Sequence, residues 1–172
     1  GDEVIVSSFS FISSAASVLR CGAVPVFTDI DPDDYMMNVD SVKNSITKKT
    51  KAIIVVHLFG QTYSFDIIKD IAKKQNIFII EDAAQALGAK HCDEPAGSLG
   101  EISCLSFDPT KIIGAFGTGG AVLTNQADFE KKIKLLKYHG RDENRIYQLS
   151  GYNSQLASSQ ASLLIYQLNQ ID

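Results

Sequence analysis

Short apolar runs alternate along the chain with stretches in which apolar residues recur every three or four positions. A continuous apolar run is typical of a buried strand, and the longer spacing is typical of one face of a helix. The runs predict strands over residues 3–7, 24–30, 51–56, 77–80, 104–107 and 121–124. The periodic stretches predict helices over residues 9–19 and 158–171 and around the apolar faces at residues 67–72 and 129–136.

This alternation of strands and helices predicts an α/β fold. Strand–helix–strand units connect by right-handed crossovers, which produce a three-layer arrangement: a mostly parallel sheet flanked by helices on both faces. In such sheets, ligands bind beyond the carboxyl ends of the strands. Asp82 follows the predicted strand 77–80, so we expect it at that edge of the sheet.

The composition is that of an ordinary globular domain, with 172 residues, 45% of them hydrophobic and 21% charged. The net charge of −4 offers no basic surface for nucleic acid. No apolar run approaches the length of a membrane-spanning helix, so we expect no membrane association. Cys21, Cys92 and Cys104 are widely spaced, which predicts reduced thiols and a cytoplasmic protein.

Both ends of the chain resemble internal positions of a longer protein. Gly1 and Asp2 lead directly into the strand of residues 3–7, with no initiator Met and no signal peptide. The chain stops inside the predicted helix 158–171. We therefore expect residues 1–172 to be the central part of a larger domain, preceded and followed by further segments.

Two stretches offer possible metal ligands, and neither pattern fits a known metal site. Asp29, Asp31 and Asp33 alternate like calcium ligands, but Asp34 stands where a calcium loop needs glycine. We interpret this stretch as a turn, followed by Asp40 as the N-cap of a short helix. The three histidines, His57 among them, lack zinc spacing, so no metal is predicted. His57 is either catalytic or held by the backbone of a neighbouring loop.

Residues 103–120, SCLSFDPTKIIGAFGTGG, contain a lysine without an obvious structural role. Lys111 lies between a predicted strand and a glycine-rich loop. It is a solvated surface charge, a phosphate ligand, or a nucleophile that forms a Schiff base. The loop is neither a Walker loop nor G-x-G-x-x-G, and GSLG at residues 97–100 lacks the form of a nucleophile elbow.

The carboxylate at the strand end adds a possible partner for this lysine. Burying Asp82 is costly unless the carboxylate is paired. One partner is the ring nitrogen of pyridoxal phosphate, which an aspartate keeps protonated while a lysine holds the aldehyde. The other interpretation is a structural carboxylate at a strand end, such as a helix N-cap. The spacing of Asp82 and Lys111 alone leaves both open.

The motifs of the whole chain resemble those of a known family. GDEVIVSSFSF, GAVPVFTDID, KAIIVVHLFGQ, IIEDAAQALGA, GSLGEISCLSFDPTK, GTGGAVLTN, KYHGRD and GYNSQL occur in the order and spacing of the DegT/DnrJ/EryC1/StrS sugar aminotransferases. The combination of EDAAQ, SFDPTK and GYN is the most specific part. The resemblance implies the large domain of a pyridoxal-phosphate enzyme of fold type I.

The resemblance also implies roles for individual residues. Lys111 would be the lysine that bonds to the cofactor aldehyde and later shuttles a proton, and Asp82 would pair with the pyridinium nitrogen. Lysine at position 111 argues against the sugar dehydratases of the family, which carry histidine there. Gln85 would lie near the cofactor ring, and Ser106 would contact the cofactor phosphate.

Two further positions complete the implied cofactor site. Phe11 would stack on the ring, and Asn153 would reach the phosphate held by a second subunit of a homodimer. Phe11 as a core aromatic and Ser106 as a plain strand-end hydroxyl remain alternatives. Many relatives carry an arginine where this chain has Gln155, so the anion contact made by that arginine is left open here. The resemblance implies no role for Asp108.

The implied reaction is transamination in amino-sugar biosynthesis for a cell-surface polysaccharide or a secondary metabolite. An amino donor, usually L-glutamate in this family, would supply nitrogen to a keto group on a nucleotide-diphosphate sugar. The sequence does not indicate which sugar, carbon or nucleotide. The alternative is a non-catalytic fragment or assembly module with an incomplete site, because the upstream phosphate-binding helix and the C-terminal small domain would lie outside the chain.

Overall fold

Eight strands form within residues 1–62 and 65–171, the parts of the chain that the computed structural model describes. They are β1 (Glu3–Ser7), β2 (Val24–Thr28), β3 (Thr50–Val56), β4 (Phe78–Asp82), β5 (Lys90–His91), β6 (Glu94–Pro95), β7 (Ile102–Ser106) and β8 (Gly120–Leu123). β5 and β6 form a hairpin, and the others form one sheet in the order β2-β1-β3-β4-β7-β8. Among these six described strands, only β8 runs antiparallel to its neighbour. The predicted mostly parallel α/β sheet is confirmed.

Five α-helices accompany these strands in the described residues. They are α1 (Ser13–Arg20), α2 (Val39–Ser45), α3 (Phe65–Gln75), α4 (Ala127–Lys137) and α5 (Ser158–Leu168). A 3-10 turn, Leu58–Gly60, follows β3 and precedes α3 in the chain. None of the helices in residues 1–62 and 65–171 has the length and apolar character that a bilayer crossing requires.

The two faces of the sheet carry separate hydrophobic cores, because successive residues of a strand point to opposite faces. Ile53 and Ile79 belong to the larger core, which includes residues of α2 and α3. Ile54 belongs to the smaller core, together with Ala15 and Val18 of α1. The continuous apolar run of β3 therefore supplies both cores, as its sequence predicts.

A third, smaller cluster connects the glycine-rich loop to α5. Ile113 and Ala115 of the loop pack with Leu164 of α5, and all three are buried. The predicted apolar stripe of residues 158–171 is thus used against a loop, whereas Leu168 remains 51% exposed. The helix itself ends at Leu168, three residues earlier than predicted.

Two predicted helix starts are wrong. α1 begins at Ser13, not at residue 9, because the Ser7 hydroxyl accepts a hydrogen bond from Phe9 N and the chain bends there. The N-cap of α2 is Asn38, whose side-chain oxygen accepts from Ser41 N at 2.9 Å, and not Asp40. Asp40 lies in the first turn, where its negative charge favours the helix dipole.

The acidic stretch after β2 is a turn, as interpreted from the sequence. The Asp31 carboxylate accepts from Asp33 N at 3.0 Å, and the Asp34 carboxylate accepts from Met36 N at 2.8 Å. Such side chain–backbone bonds reproduce the geometry of a backbone turn. The aspartates are therefore used by the turn that leads into α2.

Candidate active site

Asp82 ends β4 at the carboxyl edge of the sheet. Its neighbours in register are Val56 on β3 and Cys104 on β7, and it is half-buried between them. The Ser14 hydroxyl of α1 donates a hydrogen bond of 2.7 Å to Asp82 Oδ2. The amide of Ala84 makes a longer contact of 3.3 Å with Oδ1. Asp82 is thus oriented by one buried hydroxyl, and it does not cap a helix.

Ser14 also connects Asp82 to Phe11. Its backbone N–H donates to Phe11 O at 3.2 Å, while its side chain donates to Asp82. The Phe11 side chain is 74% exposed, so this residue does not belong to the hydrophobic core. An exposed phenylalanine just before α1, one hydrogen bond from the residue that holds Asp82, is available to contact a ligand.

A common cavity of about 320 Å³ is lined by Lys111, Ser106 and Gln85. Its wall also includes the residues that directly follow Asp82 in the chain. Ala83 and Ala84 continue the chain from Asp82 into the same wall. The structure therefore brings together three of the predicted site residues next to the fourth. Phe11, Asn153 and Asp82 itself do not line this cavity.

A tight turn presents Lys111 to the cavity. The backbone N–H of Lys111 donates to Asp108 O at 2.9 Å, and Asp108 Oδ1 accepts from both the amide and the hydroxyl of Thr110. These bonds from Thr110, followed by the nearby charge of Lys111, lower the pKa of Asp108. Asp108 thus has a definite structural role: it fixes the turn that carries the lysine.

Gly114 lets the chain after Lys111 fold back closely. A Cβ at this position would lie 2.9 Å from Pro109 Cα and 3.0 Å from its carbonyl oxygen. The amide of Gly114 donates to Gln167 Oε1 of α5 at 2.9 Å. A side chain at position 114 would therefore push the lysine turn away from Pro109.

Ser106 and Gln85 occupy different walls of the cavity. Ser106 is the last residue of β7, and its hydroxyl accepts from Asp108 N at 3.3 Å. Gln85 Oε1 accepts from Phe59 N at 3.1 Å, and Phe59 has a left-handed backbone with φ of 56°. Since its oxygen is used in this way, the amide nitrogen of Gln85 is the group left to donate to a ligand.

Asn153 lies apart from this cavity within one chain. It forms an isolated bridge with Tyr138, and its side-chain oxygen accepts from Gln155 at 3.2 Å. Asn153 and Gln155 instead line a second cavity of about 1290 Å³, between β8, α4 and the loop that follows β4. Asn153 is exposed there.

Glu81, next to Asp82, is a buried carboxylate that sequence reasoning missed. It accepts from Gly97 N at 2.7 Å and Gly100 N at 2.6 Å, and it lies 2.8 Å from His57 Nε2. Burial raises its pKa, but these hydrogen bonds and the charge of His57 outweigh burial, so that the pKa of Glu81 is lowered overall. Because an ionised carboxylate only accepts, His57 Nε2 carries the proton of their hydrogen bond.

This network explains two sequence features. The partner of the His57 ring is the Glu81 side chain, so the ring is not held by loop backbone. This pairing gives His57 a structural position and not a catalytic one. The GSLG motif forms the cradle of Glu81, and a Cβ at Gly100 would lie 2.9 Å from Ile79 O. A histidine directly after one buried strand, an acid at the end of the next and two closely spaced glycines were the signals available in the sequence.

Cys104 is the titratable neighbour of Asp82 on the adjacent strand. Desolvation, and then the negative charge of Asp82, raise the pKa of the Cys104 thiol. Cys21, Cys92 and Cys104 are all free thiols. The Cys104 thiol is therefore protonated at neutral pH and adds no charge to the site.

The profile of the DegT/DnrJ/EryC1/StrS aminotransferase family matches residues 1–172, and the chain belongs to this family. It is 44% identical over 164 residues to UDP-N-acetyl-3-dehydro-alpha-D-glucosamine 3-aminotransferase of Acidithiobacillus ferrooxidans, covering 95% of this chain and 44% of that protein. The chain spans about half the length of the curated relatives it matches.

Solved structures show the same fold. An aminotransferase of Psychrobacter cryohalolentis superposes with a TM-score of 0.95 at 37% identity, covering 99% of this chain and 46% of that one. The NtdA protein of Bacillus subtilis, solved with bound cofactor PMP, gives a TM-score of 0.89 at 33% identity, covering 98% of this chain and 38% of the other. The fold is therefore that of a fold type I sugar aminotransferase.

Proposed function

We propose that the protein catalyses pyridoxal-phosphate-dependent transamination of a nucleotide-diphosphate keto-sugar, with L-glutamate as the amino donor, in amino-sugar biosynthesis. One observation carries the proposal: Lys111, Ser106 and Gln85 line one cavity at the sheet edge where Asp82 ends β4. The sugar substrate is supported by a relative at 44% identity whose name specifies a UDP-linked keto-sugar.

The side chains at this edge of the sheet suit the cofactor. Lys111 supplies the amine that an aldehyde requires, and Asp82 supplies a carboxylate that is only half-buried and keeps an accepting oxygen beside its bond to Ser14. Bound pyridoxal phosphate supplies an electron-accepting ring. The Asp82 charge would keep the ring nitrogen protonated, and Ser106 and the Gln85 amide would donate to the phosphate and the phenolic oxygen.

Lys111 would also move the proton of the reaction. Its Nζ, once free, would act as general base on the α-carbon proton of the amino donor in the first half of the reaction, and as general acid that protonates the sugar carbon in the second half. The turn held by Asp108 and Thr110 fixes the backbone that carries Lys111, which would help to position its amine for general base catalysis. Phe11, exposed at the start of α1, would cover one ring face.

A homodimer would complete the site. Asn153 is exposed and lies outside the cavity of Lys111 within one chain, which fits a residue that serves the cofactor of a second subunit. The loop residue Phe116 is 81% exposed and Tyr166 of α5 is 66% exposed, so apolar surface is available for such a contact. The three free thiols support a cytoplasmic location.

The experiment is cofactor trapping on the full-length protein. Pyridoxal phosphate is added, the bound form is fixed by borohydride reduction, and the modified peptide is identified by mass spectrometry. We expect the label on Lys111 and its loss in Lys111→Ala, together with the visible absorbance of the bound cofactor. Lys73→Ala, an exposed lysine of α3, is the matched control. A labelled lysine elsewhere in Lys111→Ala would contradict the assignment.

The same titration separates this proposal from the non-catalytic alternative. Residues 1–172 alone and the full-length protein are titrated with pyridoxal phosphate in parallel, and both are assayed with glutamate and a panel of nucleotide keto-sugars. Glutamate-dependent mass changes in the sugar products of the full-length protein support transamination. Cofactor binding without any product across the panel would favour a module that lacks catalysis.

A further inference from the structure

Asp66, His91 and Cys92 come together at the surface, away from the cavity of Lys111. Asp66 lies in the first turn of α3, and His91 and Cys92 belong to the β5–β6 hairpin. One potential ligand atom of each residue lies within 4.8 Å of the others. We propose that these three side chains bind a zinc ion, a site that the spacing of residues along the chain did not predict.

The three ligand types match the chemistry of zinc. Thiolate, imidazole and carboxylate are the side chains that Zn²⁺ uses, at bond lengths of roughly 2.0–2.3 Å. Tetrahedral ligands at these lengths lie about 3.5 Å apart. His91 Nε2 and Asp66 Oδ2 are 2.9 Å apart, and the largest separation in the cluster is below 4.8 Å. Shifts on the order of 1 Å would therefore complete the geometry, with water as the fourth ligand.

The fold holds the histidine in place while leaving the other ligands accessible. The His91 side chain is only 18% exposed, and its ring packs against the edge of Phe65, with centroids 6.0 Å apart. The backbone of the hairpin is tied down, because Thr62 Oγ1 donates to Lys90 O at 3.2 Å. Asp66 is 71% exposed and Cys92 is exposed, so an ion reaches the cluster directly from solvent.

The hairpin turn places the cysteine beside the histidine. Cys92 and Asp93 both have left-handed backbones, with φ of 47° and 71°, between the paired residues His91 and Glu94. Such two-residue turns normally use asparagine and glycine, which adopt positive φ more readily than other residues.

The ion would join two segments that are 25 residues apart in sequence, from Asp66 to His91. The hairpin leads directly to Gly97, whose amide donates to the buried Glu81. Binding of the metal would therefore stabilise the cradle of Glu81 as well as the start of α3. This consequence does not depend on the proposed transaminase activity.

The test uses Co²⁺ as a spectroscopic probe for Zn²⁺ on the reduced full-length protein. Tetrahedral cobalt with a thiolate ligand gives visible bands and a charge-transfer band, which are read as difference spectra, and Zn²⁺ should displace it. We expect Cys92→Ser to remove the charge-transfer band. We expect His91→Gln to weaken Zn²⁺ binding, measured calorimetrically, by at least about tenfold.

Cys21→Ser is the matched control, because Cys21 is also an exposed free thiol but lies at the end of α1. It should leave the spectrum and the affinity unchanged, and circular dichroism should show that all variants are folded. An unchanged charge-transfer band in Cys92→Ser, equal Zn²⁺ affinity in His91→Gln, or no cobalt–thiolate band in the unmodified protein would overturn the proposal.

Discussion

Glu81 and Asp82 are consecutive carboxylates at the end of one strand, and their surroundings differ completely. Glu81 is fully buried, with two glycine amides and a histidine as partners. Asp82 is half-buried, with one strong hydrogen bond, from Ser14. Because neighbouring strand residues point to opposite faces of the sheet, the two acids belong to different environments.

The comparison separates a structural acid from a functional one. A buried charge is tolerated when it is hydrogen-bonded, and the cradle of Gly97, Gly100 and His57 supplies three donors to the two oxygens of Glu81. Asp82 retains accepting capacity at the carboxyl edge of the sheet, and the residues that follow it, Ala83 and Ala84, line the cavity of Lys111. Free hydrogen-bonding capacity next to a cavity, rather than burial, therefore distinguishes the candidate functional residue.

The largest effect is expected for Asp82→Asn in the full-length protein. The amide has the shape of the carboxylate but no charge, so it would not hold the cofactor ring nitrogen protonated. Turnover with glutamate should fall about 10³-fold, whereas the urea midpoint of unfolding should change little, since the carbonyl oxygen of the new amide can still accept from Ser14. Full turnover in Asp82→Asn would place Asp82 with the structural carboxylates.

Glu81→Gln should show the opposite profile. A glutamine has one carbonyl oxygen for the three donors that surround Glu81, and its NH₂ group would face another donor. We expect a loss of about 3 kcal/mol in the free energy of unfolding, measured by urea titration. Turnover per folded, cofactor-loaded molecule should be retained, and a loss of turnover without a loss of stability would contradict the structural role.

Acid provides an independent check on the same residue. The pKa of Glu81 in the folded protein lies below its ordinary value of 4.5. The unfolded chain therefore takes up this proton first as pH falls, and the stability that Glu81 contributes is present above about pH 4.5 and lost as pH falls through the folded pKa. The stability difference between the unmodified protein and Glu81→Gln should shrink over this range, and a constant difference would contradict the shift.

The smallest effect is expected for Ser14→Ala, which removes the hydroxyl that orients Asp82. A hydrogen bond to a charged group contributes about 1.5 kcal/mol, so cofactor affinity should fall about tenfold, with recovery in Ser14→Thr. Ser17→Ala is the matched control, because the Ser17 hydroxyl donates to Ser14 O at 2.8 Å and to nothing else within the residues that the structure describes. Equal cofactor affinity in Ser14→Ala and Ser17→Ala would show that the bond to Asp82 does not matter.

Much of the fold was predictable because burial leaves a strong pattern in the sequence. The run of β3 is apolar on consecutive residues, as expected of a short strand between two cores, and Ala52, Ile53, Ile54 and Val55 are all buried. The ends of elements were predicted less well. The choice of Asn38 rather than Asp40 as the cap of α2 depends on which side chain reaches a free backbone amide, a matter of local geometry that composition does not reveal.

The sequence by itself determined the α/β class, the family and the residue types of the candidate site. Local patterns and ordered motifs carry this information, as with Lys111 after its strand and the acids at the end of β4. Only the tertiary structure decided how those residues are used. Strand register places Glu81 opposite Val55 and Asp82 opposite Val56, on alternate faces. Chain folding brings Ser14 to Asp82 across 68 residues and Asp66 to His91 across 25, contacts that spacing along the chain does not encode.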